Sequence, residues 1–274
     1  MIQSTSRRLV AAAAMLAGTA TLAGCEGAEM EINGQKGVPL ADVELAGAPP
    51  SEVVLASGDT VIVSEGDTFA ITVEGQNTDT LRFVRDERTI GITREEGWKG
   101  EPNATIRITM PAPSELVIAG SGTIKAAKLA STSEVSIGGS GLVEFGTVAA
   151  EKLDINIGGS GTIRGAGTVK SLNVNIGGSG EVELAGLKAD TAEVSIGGAG
   201  DVAFASDGEV TANIAGAGDV NVTGAAKCTV NAFGSGTLNC AQAPTAKTPA
   251  TAEAALPAAP AAPAAPAAPA KPAE

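Results

Sequence analysis

From about residue 115 to residue 240 the chain alternates apolar and polar residues with period two, as in Leu153-Asp154-Ile155-Asn156-Ile157 and Val182-Glu183-Leu184. That period belongs to strands with one buried face. The alternation is broken at Gly120-Ser121-Gly122, Gly139-Ser140-Gly141, Gly159-Ser160-Gly161, Gly178-Ser179-Gly180, Gly198-Ala199-Gly200, Gly216-Ala217-Gly218 and Gly234-Ser235-Gly236, with successive spacings of 19, 20, 19, 20, 18 and 18 residues. A fixed period of this length marks stacked units, none of which buries a face alone.

Aligned on these glycines, the chain resolves into columns. One runs Ile137, Ile157, Ile176, Ile196, Ile214, Ala232; a second runs Val135, Ile155, Val174, Val194, Ala212, Val230; a third, after the glycines, runs Ile124, Val143, Ile163, Val182, Val202, Val220, Leu238. If equivalent strands pair in parallel, like residues stack ~4.8 Å apart and each column becomes an aliphatic ladder. The glycines are expected at sharp corners that need positive φ. With 36 glycines spread through strand-period sequence, no long amphipathic helix is expected after the leader. The pattern predicts an all-β fold, a parallel β-helix or β-solenoid of about seven G-S-G rungs, roughly 34 Å tall.

Residues 38–113 are also strand-rich, at Glu52 to Leu55, Thr60 to Val63, Ala70 to Glu74, Leu81 to Val84, Ile90 to Thr93 and Thr105 to Met110. No linker separates them from the repeats. A solenoid exposes the backbone of its terminal rung, so this segment is read as the N-terminal cap of the same domain.

Arg7-Arg8, an apolar run from Leu9 to Leu22 and then Leu22-Ala23-Gly24-Cys25 resemble a bacterial lipoprotein signal. The run is too short to span a bilayer, which takes about 20 residues. The resemblance implies cleavage before Cys25 and diacylglycerol on its sulfur; Glu26, in place of Asp, implies sorting to the outer membrane. The alternative is an ordinary signal peptide with a chance cysteine. The expected organisation is therefore a signal peptide over 1–24, a tether over 25–37, the solenoid domain over 38–242 and a Pro/Ala-rich tail over 243–274. Proline at every third position makes that tail an extended spacer of at most ~95 Å.

Losing Arg7 and Arg8 with the leader takes the net charge from −13 to −15, which argues against nucleic acid as a partner. The chain has no His and no Tyr, and Trp98 is its one tryptophan. The commonest general base and metal ligand is thus missing, as is the usual material of a sugar-stacking platform, and both absences count against an enzyme.

The order of E-G-D and V-E-G turns (Glu65-Gly66-Asp67, Val73-Glu74-Gly75), then Met110-Pro111-Ala112-Pro113, then L-x-I-x-G-S-G-x-I over Leu116 to Ile124, then repeated G-S-G coils, resembles the head GIN domain family of autotransporter adhesins, over roughly Val38 to Ala241. The resemblance implies a parallel β-helix-like fold in a bacterial envelope protein and brings no catalytic residues. An autotransporter carries its own C-terminal β-barrel of strands with outward apolar bands, whereas this chain ends in Pro and Ala. Surface exposure is therefore expected to depend on the lipid anchor and separate export machinery.

Three constellations stand out. Directly after the glycines, Glu181, Asp201 and Asp219 fall on consecutive rungs; stacked like charges either splay into water or are bridged by a hard cation such as Ca²⁺, and otherwise no cofactor is implied. Ser136, Asn156, Asn175, Ser195, Asn213 and Asn231 form an outward column whose amides can hydrogen-bond from rung to rung, as a stiffener or as a face for envelope glycan or another envelope protein. Cys228 and Cys240 fall on inward positions of the last rung, either as a disulfide permitted by export or as two reduced core residues. Gly159 to Gly167 is discounted as a phosphate loop, because no helix and no G-K-S/T follow. The sequence thus points to a non-enzymatic, lipid-anchored envelope protein with an adhesin-like or scaffold surface; the alternative is a polysaccharide-active enzyme using surface carboxylates.

Overall fold

The structure is a computed structural model and describes residues 31–242; Cys25, the leader and residues 243–274 lie outside the described residues. Sixteen strands follow in chain order: β1 (Glu52–Leu55), β2 (Thr60–Glu65), β3 (Ala70–Gly75), β4 (Leu81–Arg85), β5 (Thr89–Arg94), β6 (Ala104–Met110), β7 (Glu115–Ile118), β8 (Thr123–Ala126), β9 (Thr132–Ile137), β10 (Leu142–Ile157), β11 (Thr162–Ile176), β12 (Glu181–Ile196), β13 (Asp201–Gly216), β14 (Asp219–Gly224), β15 (Lys227–Gly234) and β16 (Thr237–Gln242). From β7 onward every pairing is parallel, and apart from register shifts after Glu144, Arg164, Leu184 and Ala189 like residues of successive repeats lie side by side. The result is a parallel β-solenoid of about seven turns. No described helix is long and apolar enough to cross a membrane.

Each rung has three sides, and the sequence shows why. In β10 the inward residues are Val143 and Phe145, then Val148 and Ala150, then Leu153, Ile155 and Ile157, all buried. Between these groups two consecutive residues face outward or sit half-exposed, Gly146-Thr147 and Glu151-Lys152, and the chain bends there. The glycine cluster makes the third corner. We number the sides from that corner, so the third side is the one entering the next glycines. The predicted aliphatic ladders fill the interior, from Val135 and Ile137 at 0 and 1 % exposed to Ala212 and Ile214 at 0 and 1 %. Volume is balanced between rungs: the Phe145 ring leans into the place where a side chain on Gly165, one rung above, would stand.

The corner glycines do a different job from the one expected. Among the seven clusters only Gly216 and Gly234 have positive φ. The others are required because the rungs are so close. A Cβ on Gly200 would lie 2.6 Å from Ile176 Cγ2 and 2.7 Å from the Gly180 carbonyl, both on the rung below. The same Ile-under-Gly contact recurs at Gly141, Gly161, Gly180, Gly218 and Gly236. Glycine here lets an isoleucine fill the corner beneath it.

The N-terminal rungs are stacked out of sequence order. β1 lies between β5 and β7, and β2 between β6 and β8, so residues 89–110 form the rung beneath residues 52–65 although they follow them in the chain. β3 and β4 then run antiparallel to β6 and β5 and close this end. The cap is locked by a buried ion pair, Arg94 with Asp59, whose side chains are 8 % and 0 % exposed. Asp59 also accepts from Ser57 Oγ (2.8 Å) and the Ala104 amide (2.9 Å), and the Arg94 guanidinium lies over Trp98. The fold also begins before residue 38, the start expected from sequence. Ile32 is buried against Val54, Ala56 and Val84, over Gly91, where a Cβ would meet it at 2.6 Å.

At the other end the ladders run out. Val230 and Ala232 occupy the inward columns as predicted but are exposed, Val230 by 47 %, because no described rung covers them.

Candidate functional site

The third side carries the polar columns. Thr89, Glu52, Glu115, Glu134, Asp154, Asn173 and Glu193 pair one to the next across adjacent strands, placing four carboxylates, Glu52 to Asp154, on consecutive rungs. Two residues further along each strand lies the amide column predicted from sequence. Its members hydrogen-bond along the stack: Asn175 Nδ2 donates to Asn156 Oδ1 at 3.1 Å and Asn231 Nδ2 to Asn213 Oδ1 at 3.0 Å. Across the columns, Asn156 Nδ2 donates to Glu134 Oε1 at 2.9 Å.

Charge on this side is handled differently from the rest of the rod. On the first side and the second, acids meet bases on the adjacent rung: Lys125 with Glu144, Arg164 with Glu183, Lys188 with Asp207. In the third-side column the ion pair is Lys152 with Asp154, and Glu115 sits between Glu52 and Glu134. Its partial burial, reinforced by those two carboxylates and opposed by Arg88, holds the Glu115 carboxyl above the ordinary value of 4.5.

Three shallow concavities follow this side. One, of about 490 Å³, has Glu52, Thr89 and Glu115 among its lining residues. Another, of about 310 Å³, is lined by Glu134, Asp154, Asn156, Asn173, Asn175 and Glu193. The next, of about 440 Å³, has Asn175, Ser195, Asn213 and Asn231 along one wall, a floor that includes Gly177, Gly197 and Ala215, and the ring of Phe233 at its end. Phe233 is 81 % exposed. It occupies the column that holds glycine on lower rungs, which is why the floor stays open until the last turn. A larger depression, about 720 Å³, lies at the opposite end between residues 35–48 and β4. Of the two arginines that line it, Arg85 donates to the carbonyls of Glu44 and Ala48 and covers the Phe69 ring, so it holds that segment in place.

Glu181, Asp201 and Asp219 do stack on successive rungs, exposed at the first-side corner. Asp201 Oδ1 accepts from the Asp219 amide at 3.0 Å, and Asp219 Oδ1 accepts from Thr237 N and Oγ1. Asp201 and Asp219 thus cap backbone on the rung above. No cluster of three or more His, Cys, Asp or Glu suited to a metal ion occurs among the described residues. Cys228 and Cys240 are brought together across the last corner and joined as a disulfide, with Cα atoms 6.5 Å apart. Cys25 lies outside the described residues. The Glu52–Glu115 step went unseen in the sequence because 63 residues separate the two; the only hint was the recurrence of Glu134 and Asp154 at rung spacing.

The architecture defines a parallel β-solenoid whose third side carries an amide ladder beside a run of carboxylates. Residues 49–226 match the family described as "Putative auto-transporter adhesin, head GIN domain", and the chain belongs to that family. Solved structures share the fold: a "putative adhesin" of Bacteroides fragilis NCTC 9343 (16 % identity, TM-score 0.62, covering 70 % of this chain and 93 % of that one); a "Putative lipid binding protein" of Parabacteroides distasonis ATCC 8503 (22 %, 0.57, 71 % and 93 %); and a "putative adhesin" of Parabacteroides merdae ATCC 43184 (16 %, 0.55, 70 % and 92 %). No match was found among curated proteins.

Proposed function

We propose that this chain is a non-enzymatic envelope lipoprotein, anchored through Cys25 in the outer membrane, whose third side binds glycan in the manner of an adhesin. The observation that carries the reading is the groove of about 440 Å³ that pairs an amide ladder with an exposed aromatic ring. The groove's exposed lining is mainly apolar, while the amides and hydroxyls beside it repeat at the rung spacing, ~4.8 Å, and carry donors and acceptors for a chain of hydroxyl-bearing units. Phe233 supplies the one apolar platform on which a sugar face can stack. Membership of an adhesin family supports a binding role.

The test is binding of the lipid-free chain to neutral and acidic envelope glycans, compared with Asn213→Ala and Phe233→Ala. Loss of binding by ten-fold or more in both variants, with unchanged melting, is the expected result. Equal binding by all three proteins would remove the groove from the function. Glu115, flanked by Glu52 and Glu134, is the feature that favours the enzymic alternative, since a carboxyl raised above its ordinary value beside other carboxylates is the kind of pairing glycoside cleavage uses. Release of reducing ends or unsaturated products from the same glycans, abolished in Glu115→Gln, would establish that reading in place of simple binding.

A further inference from the structure

The two ends of the solenoid are built differently. At the N-terminal end β3 and β4 run antiparallel across the stack, and Val38 adds a further bridge to Phe83. At the C-terminal end β15 pairs only with β13 and β16 only with β14, so among the described residues one edge of each strand is unpaired. Above them lie Val230, 47 % exposed, and the half-buried Leu238.

Exposed edges are ordinarily defended by charge, proline or a bulge. Here that defence is missing. Residues 227–242 carry a single charge, Lys227, whereas β12 alone carries five, Glu181, Glu183, Lys188, Asp190 and Glu193. In a chain of net charge −13, this is the face where two copies meet without acid facing acid.

We infer that the C-terminal rung is a self-association surface on which two copies of this chain join end to end about a twofold axis. Because β3 and β4 reverse the strand direction at the N-terminal end, the parallel stack does not continue head to tail from β15 and β16; the arrangement inferred is isologous, with β15 pairing antiparallel to β15 of the second copy. The chain's own C-terminal segment is the rival occupant. Prolines at 244, 249, 257, 260, 263, 266, 269 and 272 leave no run longer than Ala250 to Leu256, and that run is mostly alanine. Proline gives no amide to a ladder and alanine is a weak strand former, so this segment is a poor cover strand. A single rung is a small contact surface beside standard interfaces of ~800 Å² per partner, so a reversible association is expected and is sought over a wide concentration range. The inference is independent of glycan binding, since it uses the inward residues and the backbone edge of the last rung.

The experiment is sedimentation equilibrium on residues 26–274 from about 1 to about 200 μM, beside the same chain ending at Gln242 and the Val230→Lys variant, which puts a charge on the exposed end. Hydrogen exchange at both concentration limits gives a second readout that needs no variant. The expected results are a reversible dimer, a dissociation constant raised at least 100-fold by Val230→Lys, and concentration-dependent protection confined to residues 227–242. A monomer throughout overturns the inference, as does protection at the N-terminal end. Dimerisation only after residues 243–274 are removed would overturn it too, by assigning the cover to that segment. So would a folded Val230→Lys protein that associates as tightly as the wild type.

Discussion

Gly197 and Gly200 belong to one corner, yet adding a methyl group to each should move stability in opposite directions. On Gly200 the new Cβ would stand 2.6 Å from Ile176 Cγ2 and 2.7 Å from the Gly180 carbonyl oxygen. Unstrained contacts of this kind need upward of ~3.4 Å, so the corner must open by about 0.7 Å in a stack whose whole repeat is ~4.8 Å. One of the obstacles is backbone, which has no rotamer to change. Overpacking of this kind costs about 1–3 kcal/mol, or about 2–12 °C in Tm for a domain of this size. On Gly197 the new Cβ would meet only the Ile176 carbonyl, at 3.8 Å, an ordinary contact. The chain already places Ala215 and Phe233 in that column. Gly197→Ala should therefore stabilise by about 0.4–1 kcal/mol, by restricting the unfolded chain. Thermal melts of the two single variants decide the matter. Equal destabilisation by both would mean that the glycines serve backbone conformation, not rung approach, and would refute the steric account.

The remaining predictions concern charges, a hydroxyl and the terminal disulfide. Asp59→Asn should cost about 3 kcal/mol, because it strands the buried guanidinium of Arg94. Burial works against the Asp59 charge, but the bonds from Arg94, Ala104 and Ser57 outweigh it and hold the carboxyl below its ordinary 3.8, so its contribution is present above that value and lost as pH falls beneath it; acid melts of the Asp59→Asn variant should lack this loss. Glu115 has the opposite sign. Its carboxyl is raised by burial and by Glu52 and Glu134, so stability falls as pH rises through the window above 4.5, and Glu115→Gln should melt higher than the wild type at pH 7 while matching it near pH 4. Ser133 is buried with no hydrogen-bond partner for its hydroxyl, and Ser133→Ala should stabilise by about 1 kcal/mol in a denaturant titration; a loss instead would reveal a bound water. Replacing both Cys228 and Cys240 by Ser opens a link across 12 residues, expected to cost about 3 kcal/mol, and should be read as early proteolysis of residues 227–242 with the lower rungs intact.

Everything that repeats could be read from the residues alone. Ile157, Ile176 and Ile196 could be aligned and turned inward because strand alternation and rung length are both local periodicities, and in-register stacking copies one residue's environment onto the next. The amide column from Ser136 to Asn231 was legible for the same reason. The places where that periodicity fails emerge only in the folded molecule. Residues 52–65 slot between rungs formed by residues 89–110 and 115–126, so Glu52 meets Glu115 and Asp59 meets Arg94 across 63 and 35 positions with no repeat to announce the pairing. The role of the corner glycines was hidden too, because their requirement comes from the isoleucine of another rung and not from their own dihedral angles. Periodic pattern carries the contacts between equivalent positions; contacts between inequivalent ones depend on a chain path that only the assembled core selects.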